Sequence, residues 1–416
     1  MISTKRIATI CLALFVFAGY YKAADPLQFV PIDLTLLFWA ATAGFCLIVL
    51  WRQRRLLPGM LPMFLIFAAL AFGLHWPEEL GAYPAQKELR LFSLTALSAI
   101  APIVLLQEED ERRVFLHAIA ALGIVMAICA AIEVAGSGKL TRIGVFNTNP
   151  ILLARASGFA ALMLCLLYWS GRARVWIFVP AVAVAMFGLF VSGSRGPLLA
   201  LLVTTAPVML LCHARTELRA RLWGTVLVGI AGLTAAVIGA EAAGTSLSRR
   251  ILRLFSGEWG DTEVSRWALW RQTLDLIAEF PLGVGWGRVS AQVEIYHDGI
   301  LLLHPHNIFL EIAAEAGWFA AVVFIVTMGV VTLVGFRSAY KETRSFRDHD
   351  SLRTLVVFSA STYWLVCALF SGDVNDNRPL WAMVGMALVA QGNWRARGFA
   401  NGNNDGGRPG GNAEPY

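Results

Sequence analysis

The chain has 416 residues, of which 57% are hydrophobic and only 15% are charged, and its mean hydropathy is +0.63. Soluble chains carry about 25% charged residues, so this composition excludes a cytosolic enzyme, a secreted domain and a disordered chain. The apolar residues form runs of roughly 15–25 residues, a length that crosses a bilayer core. Because these runs are continuously apolar rather than alternating, a β-barrel is also excluded. We therefore predict an all-α polytopic membrane protein.

In chain order, the apolar runs predict about twelve transmembrane helices. The six cysteines all lie within these runs, which argues against a disulfide framework or a cysteine-type zinc site. The predicted spans are approximately 7–21, 31–50, 58–75, 91–106, 114–135, 150–169, 175–192, 197–212, 224–242, 307–336, 354–371 and 379–392.

The basic residues indicate how these spans are oriented. Lys and Arg concentrate near both ends of the chain and in the short loops after the second, fourth, sixth, eighth and tenth spans. Cytoplasmic loops carry such an excess, so both termini are predicted to be cytoplasmic and the first span to be an uncleaved signal anchor. The chain then divides into nine spans within 1–242, a large periplasmic-type loop at 243–306, three spans within 307–392 and a disordered cytoplasmic tail at 393–416.

The large loop contains three distinct segments. Residues 246–255 (SLSRRILRLF) form an amphipathic basic stretch, either a helix at the membrane surface or a helix cap with solvated charges. Residues 263–280 carry Trp and aliphatic residues at helical spacing, which predicts an amphipathic helix with Trp as packing or interfacial anchors. Residues 281–287 (PLGVGWG) resemble a phosphate-binding G-x-G only weakly, and a turn beneath the active face explains them better.

Two histidines, His304 and His306, lie at the mouth of the tenth span. One interpretation is a metal site, for which Glu294, His297 and Asp298 are near in sequence. A second is that one His is a general base or acid, because imidazole transfers protons near neutral pH. A third is that a His merely caps the helix.

Two arginines are placed where they are chemically useful. Arg195, in VSGSRGP at the start of the eighth span, is predicted to offer a fixed guanidinium at a helix N-terminus, which suits an oxyanion; the alternative is a snorkelling anchor. Arg155 lies inside the sixth span, where an ionisable residue faces a cavity or a partner by default. It either lines the same cavity, snorkels, or pairs with Glu133.

A short polar turn, GDVNDNRP at 372–379, joins the last two spans. Asp373 and Asp376 in this turn are candidates for holding a metal or for orienting a His or Arg. Turn chemistry alone also explains Asp and Asn at such positions, and we favour that explanation.

The residues that suit chemistry are all predicted on the non-cytoplasmic face. They are Arg155, Arg195, Arg266, Arg271, Arg288, His304 and His306. Fixed arginines suit a pyrophosphate, a histidine suits deprotonating a hydroxyl, and a cavity among spans suits a lipid tail. The pattern thus favours glycosyl transfer from a lipid-pyrophosphate donor to a hydroxyl acceptor.

Three segments carry a resemblance to a known family: SRGPLLAL at 194–201, RWALWRQTLDLIAEFPLGVGWG at 266–287 and HPHNIFLEIAAEAGWFA at 304–320. In their order and topological side they resemble the bacterial O-antigen ligase family, within a group that includes O-antigen polymerases and O-oligosaccharyltransferases. The compact length favours a ligase over an O-oligosaccharyltransferase and leaves the polymerase open.

This resemblance implies a GT-C-like membrane fold and a metal-independent, cofactor-free glycosyltransferase of the bacterial inner membrane. The donor would be undecaprenyl-pyrophosphate-linked O-antigen and the acceptor lipid A-core, with membrane lipid around the protein and no nucleic-acid partner. The family's functional residues fall on Arg195, Arg266 and His306, with His306 as base, the two arginines on the departing pyrophosphate, and inversion at the anomeric carbon. Arg288 and His304 are secondary candidates.

Three alternatives remain at this stage. An O-antigen polymerase would use a lipid-linked glycan as acceptor, and its residues would differ only at the acceptor surface. A transporter or flippase predicts charges near the bilayer midplane and paired broken helices. A metal-dependent transferase would require ligands around the histidines.

Overall fold

The computed structural model describes residues 3–54, 57–74, 82–137, 142–213, 215–242, 244, 261–293, 295–297, 300–345 and 353–402. Most of this chain is helical. The α-helices are α1 (Thr4–Tyr21), α2 (Leu34–Gln53), α3 (Met60–Leu70), α4 (Ala82–Arg90), α5 (Ala96–Leu105), α6 (Glu109–Ser137), α7 (Pro150–Trp169), α8 (Val175–Val191), α9 (Arg195–His213), α10 (Thr216–Ala242), α11 (Asp261–Glu279), α12 (Val289–Gln292), α13 (Ile308–Ser345), α14 (Arg353–Phe370) and α15 (Arg378–Gly402).

Shorter elements complete the described chain. A π-helical segment, Leu91–Thr95, joins α4 to α5, and 3₁₀ turns lie at Asp25–Leu27, Ala71–Gly73 and Val145–Asn147. An antiparallel pair of two-residue strands, β1 (Tyr296–His297) and β2 (Ile300–Leu301), precedes α13. The all-helical prediction is therefore confirmed apart from this small hairpin.

Each of the twelve predicted spans coincides with helical structure. Among the described residues, eight helices are long and apolar enough to cross a membrane, and Met60–Gly73 and Val175–Val191 are shorter apolar helices. The chain is thus a multi-pass membrane protein, whereas a bilayer crossing by all twelve helices remains a prediction. The last helix continues to Gly402, into the predicted tail, because Trp394–Arg397 contains residues that favour helix; the rest of that tail lies outside the described residues.

Side-chain caps start several helices where the sequence supplies Asp or Asn. Asp33 accepts hydrogen bonds from the backbone N–H groups of Thr35 and Leu36 at α2. Asn149 caps α7 in the same way and is followed by Pro150, a residue that suits the first helical position. These caps satisfy orphan donors that would be costly at a membrane boundary.

The helices differ strongly in how deeply they lie within the bundle. In the most apolar stretch of α7, 72% of the residues are buried, against 6% in α10. Helix α7 is therefore central in the bundle and α10 is peripheral. Helix α7 packs between α6 and α8, α14 packs on α9 and α13, and α15 packs on α5. The central position of α7 is what places Arg155 in the interior.

Helix α13 is broken at Gly317, whose φ of 83° and ψ of 176° are not helical. A Cβ at this position would lie 2.6 Å from the carbonyl carbon of Leu282. Beside the break, the N–H of Trp318 donates to the oxygen of Pro281 over 2.9 Å. Gly317 therefore fixes the end of α11 to α13.

We predict that Gly317→Ala destabilises the fold, because both the positive φ and the close backbone approach exclude a Cβ. The expected loss is about 1–3 kcal/mol or more, seen as a lower thermal unfolding temperature of purified protein in detergent. Gly329→Ala in the same helix is the matched control, since nothing lies within 4 Å of a Cβ there. Equal unfolding temperatures for the wild type and Gly317→Ala would contradict this account of the break.

At the other end of α13, Glu342 caps the next helix. Its carboxylate accepts hydrogen bonds from the backbone N–H groups of Arg353, Thr354 and Leu355 over 2.8–3.2 Å. Glu342 is buried, so this contact joins α13 and α14 at the end of the bundle away from the histidines.

Candidate active site

The candidate site lies where three segments meet at one end of the bundle: helix α11, the loop at 303–307 and the loop at 371–377. The imidazole rings of His304 and His306 have centroids 4.3 Å apart and are inclined at 63°. Between them, the carbonyl of Pro305 accepts a hydrogen bond of 2.7 Å from the indole N–H of Trp270. Helix α11 thus holds the histidine loop directly.

The backbone at His306 is in the left-handed region, with φ of 54°. The next residue, Asn307, is the cap of α13, because its side-chain oxygen accepts from the N–H groups of Phe309 and Leu310. A histidine is therefore not the helix cap, which excludes that interpretation. Left-handed backbone at a non-glycine residue costs about 1–3 kcal/mol and occurs often at active sites, so the surrounding contacts hold His306 in a defined position.

Both imidazoles are neutral at physiological pH. Burial, followed by His304, Arg266 and Arg155, lowers the pKa of His306 to about 2. Burial lowers the pKa of His304 to about 4, with Lys87 and Arg266 acting in the same direction and Asp373 opposing them. Within the described chain, both ring nitrogens of His304 and the Nδ1 of His306 are buried without a hydrogen-bond partner.

The predicted amphipathic helix at 263–280 is confirmed as α11. Its buried stripe includes Leu269, Thr273 and Ile277, and Arg266 is half-buried beside the histidines. Arg271 lies on the exposed face, along with Trp267, which is 59% exposed. Arg266 therefore joins the histidine cluster, and Arg271 is not brought to it. The basic stretch predicted at 246–255 lies outside the described residues.

The predicted turn at 281–287 is confirmed, and its amide groups are engaged within the protein. The N–H groups of Val284 and Gly285 donate to the carbonyls of Ala314 and Glu315, and that of Trp286 donates to the carbonyl of Gly73. The N–H of Gly287 interacts electrostatically with the carboxylate of Glu315. These groups are not available to cradle a phosphate. Arg288, half-buried, directly follows the turn and precedes α12.

Arg155 is fully enclosed rather than snorkelling. Its guanidinium donates to the carbonyls of Cys367 and Ser371 and to the side-chain oxygen of Asn377, and the residue is 1% exposed. The proposed pairing with Glu133 is wrong, because that carboxylate accepts from the N–H of Phe146. Arg155 and Glu133 lie near the same end of the bundle, but the carboxylate of Glu133 binds the loop between α6 and α7 instead.

The loop at 371–377 shows the turn chemistry that the sequence favours. The carboxylate of Asp373 accepts from the N–H of Asp376 over 2.6 Å. Asp376 remains accessible to solvent, yet the surrounding protein removes much of its hydration. This loss of hydration and the charge of Asp373 raise the pKa of Asp376 to about 6, against the opposing effect of Arg155. The loop therefore presents a carboxylate that titrates near neutral pH.

Arg195 begins α9, as the sequence predicts, and is half-buried. A Cβ on its neighbour Gly196 would lie 3.3 Å from the Cβ of Phe370. The ring of Phe370 lies 6.5 Å from that of Trp270, which in turn holds the histidine loop. Arg195 is thus connected to the histidines through an apolar contact chain.

A buried charge cluster beside His304 was not identified from the sequence. Lys87 forms ion pairs with Glu311 over 2.6 Å and Glu315 over 2.7 Å, and all three side chains are at most 1% exposed. A signal was present: two acids four residues apart within an apolar span require a partner. Lys87 lies before the predicted fourth span, so nothing in the sequence pairs it with them.

No group of three His, Cys, Asp or Glu side chains suited to a metal occurs in the part of the chain that the structure describes. Glu294 and Asp298 lie outside that part, as does the side chain of His297. The metal alternative around these three residues is therefore not tested by the geometry.

Comparison with known families addresses the identity of this cluster. Residues 181–325 match the family model described as O-antigen ligase. This part of the chain is similar to the O-antigen ligase family. The matched region contains Arg195, Arg266, Arg288, His304 and His306, which confirms the resemblance seen in the sequence. A search of curated proteins finds no match.

The O-antigen ligase family covers ligases and polymerases and consists of glycosyltransferase-like enzymes. The family name implies lipid-linked polysaccharide and lipid as the substrates of its members. Charged groups from outside the matched region also act on the histidines: Lys87 and Asp373 on His304, and Arg155 on His306.

Proposed function

We propose that the protein is an O-antigen ligase. It would transfer O-antigen from undecaprenyl pyrophosphate to a hydroxyl of lipid A-core, at the periplasmic face of the inner membrane and within a GT-C-like fold. The observation that carries this proposal is the pair of neutral, partly enclosed histidines beside Arg266, within the region similar to the O-antigen ligase family. Both termini would lie in the cytoplasm, as the distribution of basic residues indicates.

In this proposal His306 is the general base. Its Nδ1 is buried without a hydrogen-bond partner among the described residues, so we assign Nε2 to the acceptor. The hydroxyl proton moves to Nε2, the hydroxyl oxygen bonds to the anomeric carbon, and the bond from that carbon to the pyrophosphate oxygen breaks. Attack from the face opposite the leaving group inverts the anomeric centre.

The low pKa of His306 makes the base dependent on the donor. Burial, followed by His304, Arg266 and Arg155, disfavours the imidazolium of His306, and a bound pyrophosphate would bring negative charge that opposes these effects. His306 would therefore accept a proton readily only when the donor is in place. This arrangement couples deprotonation of the acceptor to occupancy of the donor site.

Arg195 and Arg266 are assigned to the pyrophosphate. Negative charge on the leaving group grows in the transition state, and fixed guanidinium groups stabilise it with paired hydrogen bonds. Arg288 and His304 are assigned supporting contacts with substrate. No metal or cofactor is required by this scheme, because the arginines supply the positive charge.

A transporter function is less well supported. Arg155, Lys87 and Glu311 lie within the first turns of α7, α4 and α13, at the end of the bundle that holds the histidine loop. Transporters instead place such charges near the bilayer midplane, between broken helices in two related halves. The polymerase alternative differs only in its acceptor and needs a direct test.

A deletion strain separates ligase from polymerase. Loss of a ligase leaves polymerised O-antigen unattached to lipid A-core, whereas loss of a polymerase leaves single repeat units attached. We expect the first pattern on gels of extracted lipopolysaccharide, restored by the wild-type gene. Single attached repeats in the deletion strain would identify a polymerase instead.

The pH dependence of transfer tests the assigned titrations. As pH falls through about 6, Asp376 takes up a proton and no longer offsets Arg155, so we expect kcat/KM, which reports the free enzyme, to fall there. In Asp376→Asn this acidic limb should disappear between pH 5 and 8, because both histidines titrate below that range. An acidic limb near pH 6.5 that persists in Asp376→Asn would show that a histidine titrates there.

A further inference from the structure

A buried ion cluster formed by Lys87, Glu311 and Glu315 lies next to the site but outside the residues assigned to chemistry. The ammonium of Lys87 lies 2.6 Å from Glu311 and 2.7 Å from Glu315. Burying three charges costs several kcal/mol per ion before pairing is counted, and well-packed apolar residues would stabilise such a site at least as well. The cluster is therefore weak evidence for stability and requires another explanation.

The cluster is connected to the histidine loop through the first turn of α13. The N–H of Glu311 donates to the carbonyl of Asn307 over 2.9 Å, and Asn307 directly follows His306. The carboxylate of Glu311 is fixed by Lys87. Lys87 is thus linked through Glu311 and one helical turn to the residue beside the proposed base.

The same cluster holds the glycine-rich turn. The backbone carbonyl of Glu315 accepts from the N–H of Gly285 over 3.0 Å, and the ammonium of Lys87 lies 5.9 Å from the ring centroid of Trp286. Trp286 is fully buried and donates its indole N–H to the carbonyl of Leu70. Arg288 follows this turn directly, so its backbone position depends on the cluster as well.

The backbone of Lys87 reaches the third loop. Its carbonyl accepts from the side-chain amide of Asn375 over 3.1 Å, and the oxygen of that amide accepts from the hydroxyl of Thr95 over 2.7 Å. Asn375 lies between Asp373 and Asp376. Lys87 therefore contacts elements that lead to the histidine loop, to the turn at 281–287 and to the loop at 371–377.

From these contacts we infer that Lys87, clamped by Glu311 and Glu315, is a positioning residue that sets His306 and the loop at 371–377 relative to each other for glycosyl transfer. The inference rests on the proposed function for its catalytic consequence. Its structural consequence, the placement of His306, is measurable without any substrate. Lys87 does not need to touch the donor, because its ammonium is already occupied by two carboxylates.

The test uses purified full-length protein and two variants of the cluster, Lys87→Met and Glu311→Gln. Glu311→Gln keeps the size and a hydrogen-bonding oxygen, so it remains informative if Lys87→Met does not fold. The matched control is Glu342→Gln, which alters another buried carboxylate at the other end of α13. Thermal unfolding is recorded for each protein.

The first measurement is the rate at which diethyl pyrocarbonate modifies His306, followed by mass spectrometry of the peptide. We expect a change of about threefold or more in Lys87→Met and Glu311→Gln, and an unchanged rate in Glu342→Gln even if its unfolding temperature falls. A misplacement near 1 Å suffices to slow catalysis by about a hundredfold. We therefore expect kcat for transfer to fall by about tenfold to a hundredfold in the cluster variants, with little change in KM for the donor.

The outcomes separate this inference from the proposed function. If wild-type protein shows no transfer, the proposed function fails, while the modification rates still test the position of His306. If Lys87→Met raises KM for the donor with an unchanged modification rate, Lys87 binds the donor directly and the inference is wrong. If the modification rate of His306 and kcat for transfer both match the wild type in folded Glu311→Gln and Lys87→Met, the cluster is merely structural and the inference is also wrong.

Discussion

His306→Ala is expected to lower kcat for glycan transfer by about 10²–10⁴-fold, the usual contribution of a positioned general base. The imidazole of His306 contacts that of His304, and the positive charges of Arg266 and Arg155 act on it. Its Nδ1 makes no hydrogen bond within the described residues. His306→Ala therefore removes the proposed base without breaking a hydrogen bond at Nδ1.

The left-handed backbone at position 306 requires a second variant. Alanine is less tolerant of φ near 54° than asparagine, which occurs often in this region. His306→Asn thus keeps the backbone preference while removing the imidazole, and we expect it to lose as much activity as His306→Ala. His117→Ala, at an exposed histidine that contacts only the carbonyl of Arg113 among the described residues, is the control. Wild-type rates for both position-306 variants would show that the base lies elsewhere.

Arg266→Lys is expected to lower kcat by about 10²–10³-fold, the loss that follows removal of one transition-state donor. A lysine keeps the charge but replaces a planar, bidentate fork by a point charge. The same reasoning applies to Arg195→Lys. Because the interaction strengthens as the pyrophosphate departs, kcat should fall more than KM for the donor rises.

Asp275→Asn provides the matched control for Arg266→Lys. Asp275 lies on the exposed side of α11, and the substitution changes one charge on the same helix. We expect it to transfer glycan at the wild-type rate. If Arg266→Lys raised KM for the donor while leaving kcat unchanged, Arg266 would bind the donor equally in the ground state and in the transition state.

Much of the fold could be predicted because bilayer thickness dictates the length of apolar runs. All twelve predicted spans coincide with helical structure. Helix α11 could be predicted from a different signal, the helical spacing of its Trp and aliphatic residues. Boundaries were less certain: α10 begins at Thr216, several residues before the predicted span. Helices extend beyond the bilayer core, where hydropathy gives no signal.

The sequence could predict that certain candidate residues share one face of the molecule, but it could not predict which side chains pair there. His306 and Arg266 were recognised by residue type and order, and they do lie together. Lys87 pairs with Glu311 and Glu315 from the opposite half of the chain, which no local pattern indicates. Pairing with Glu133 was one of three alternatives for Arg155, whereas its partners come from residues 367–377. Such pairings are set by the packing of α7 against α14.

The most direct test combines purified protein with undecaprenyl-pyrophosphate-linked glycan and lipid A-core in liposomes containing EDTA. Products are resolved by gel. The account predicts a glycan ladder on lipid A-core for the wild type, and its loss in His306→Asn. Elongation of the lipid-linked glycan without transfer to lipid A-core would contradict the ligase assignment, and a ladder that disappears with EDTA would contradict metal-independent transfer.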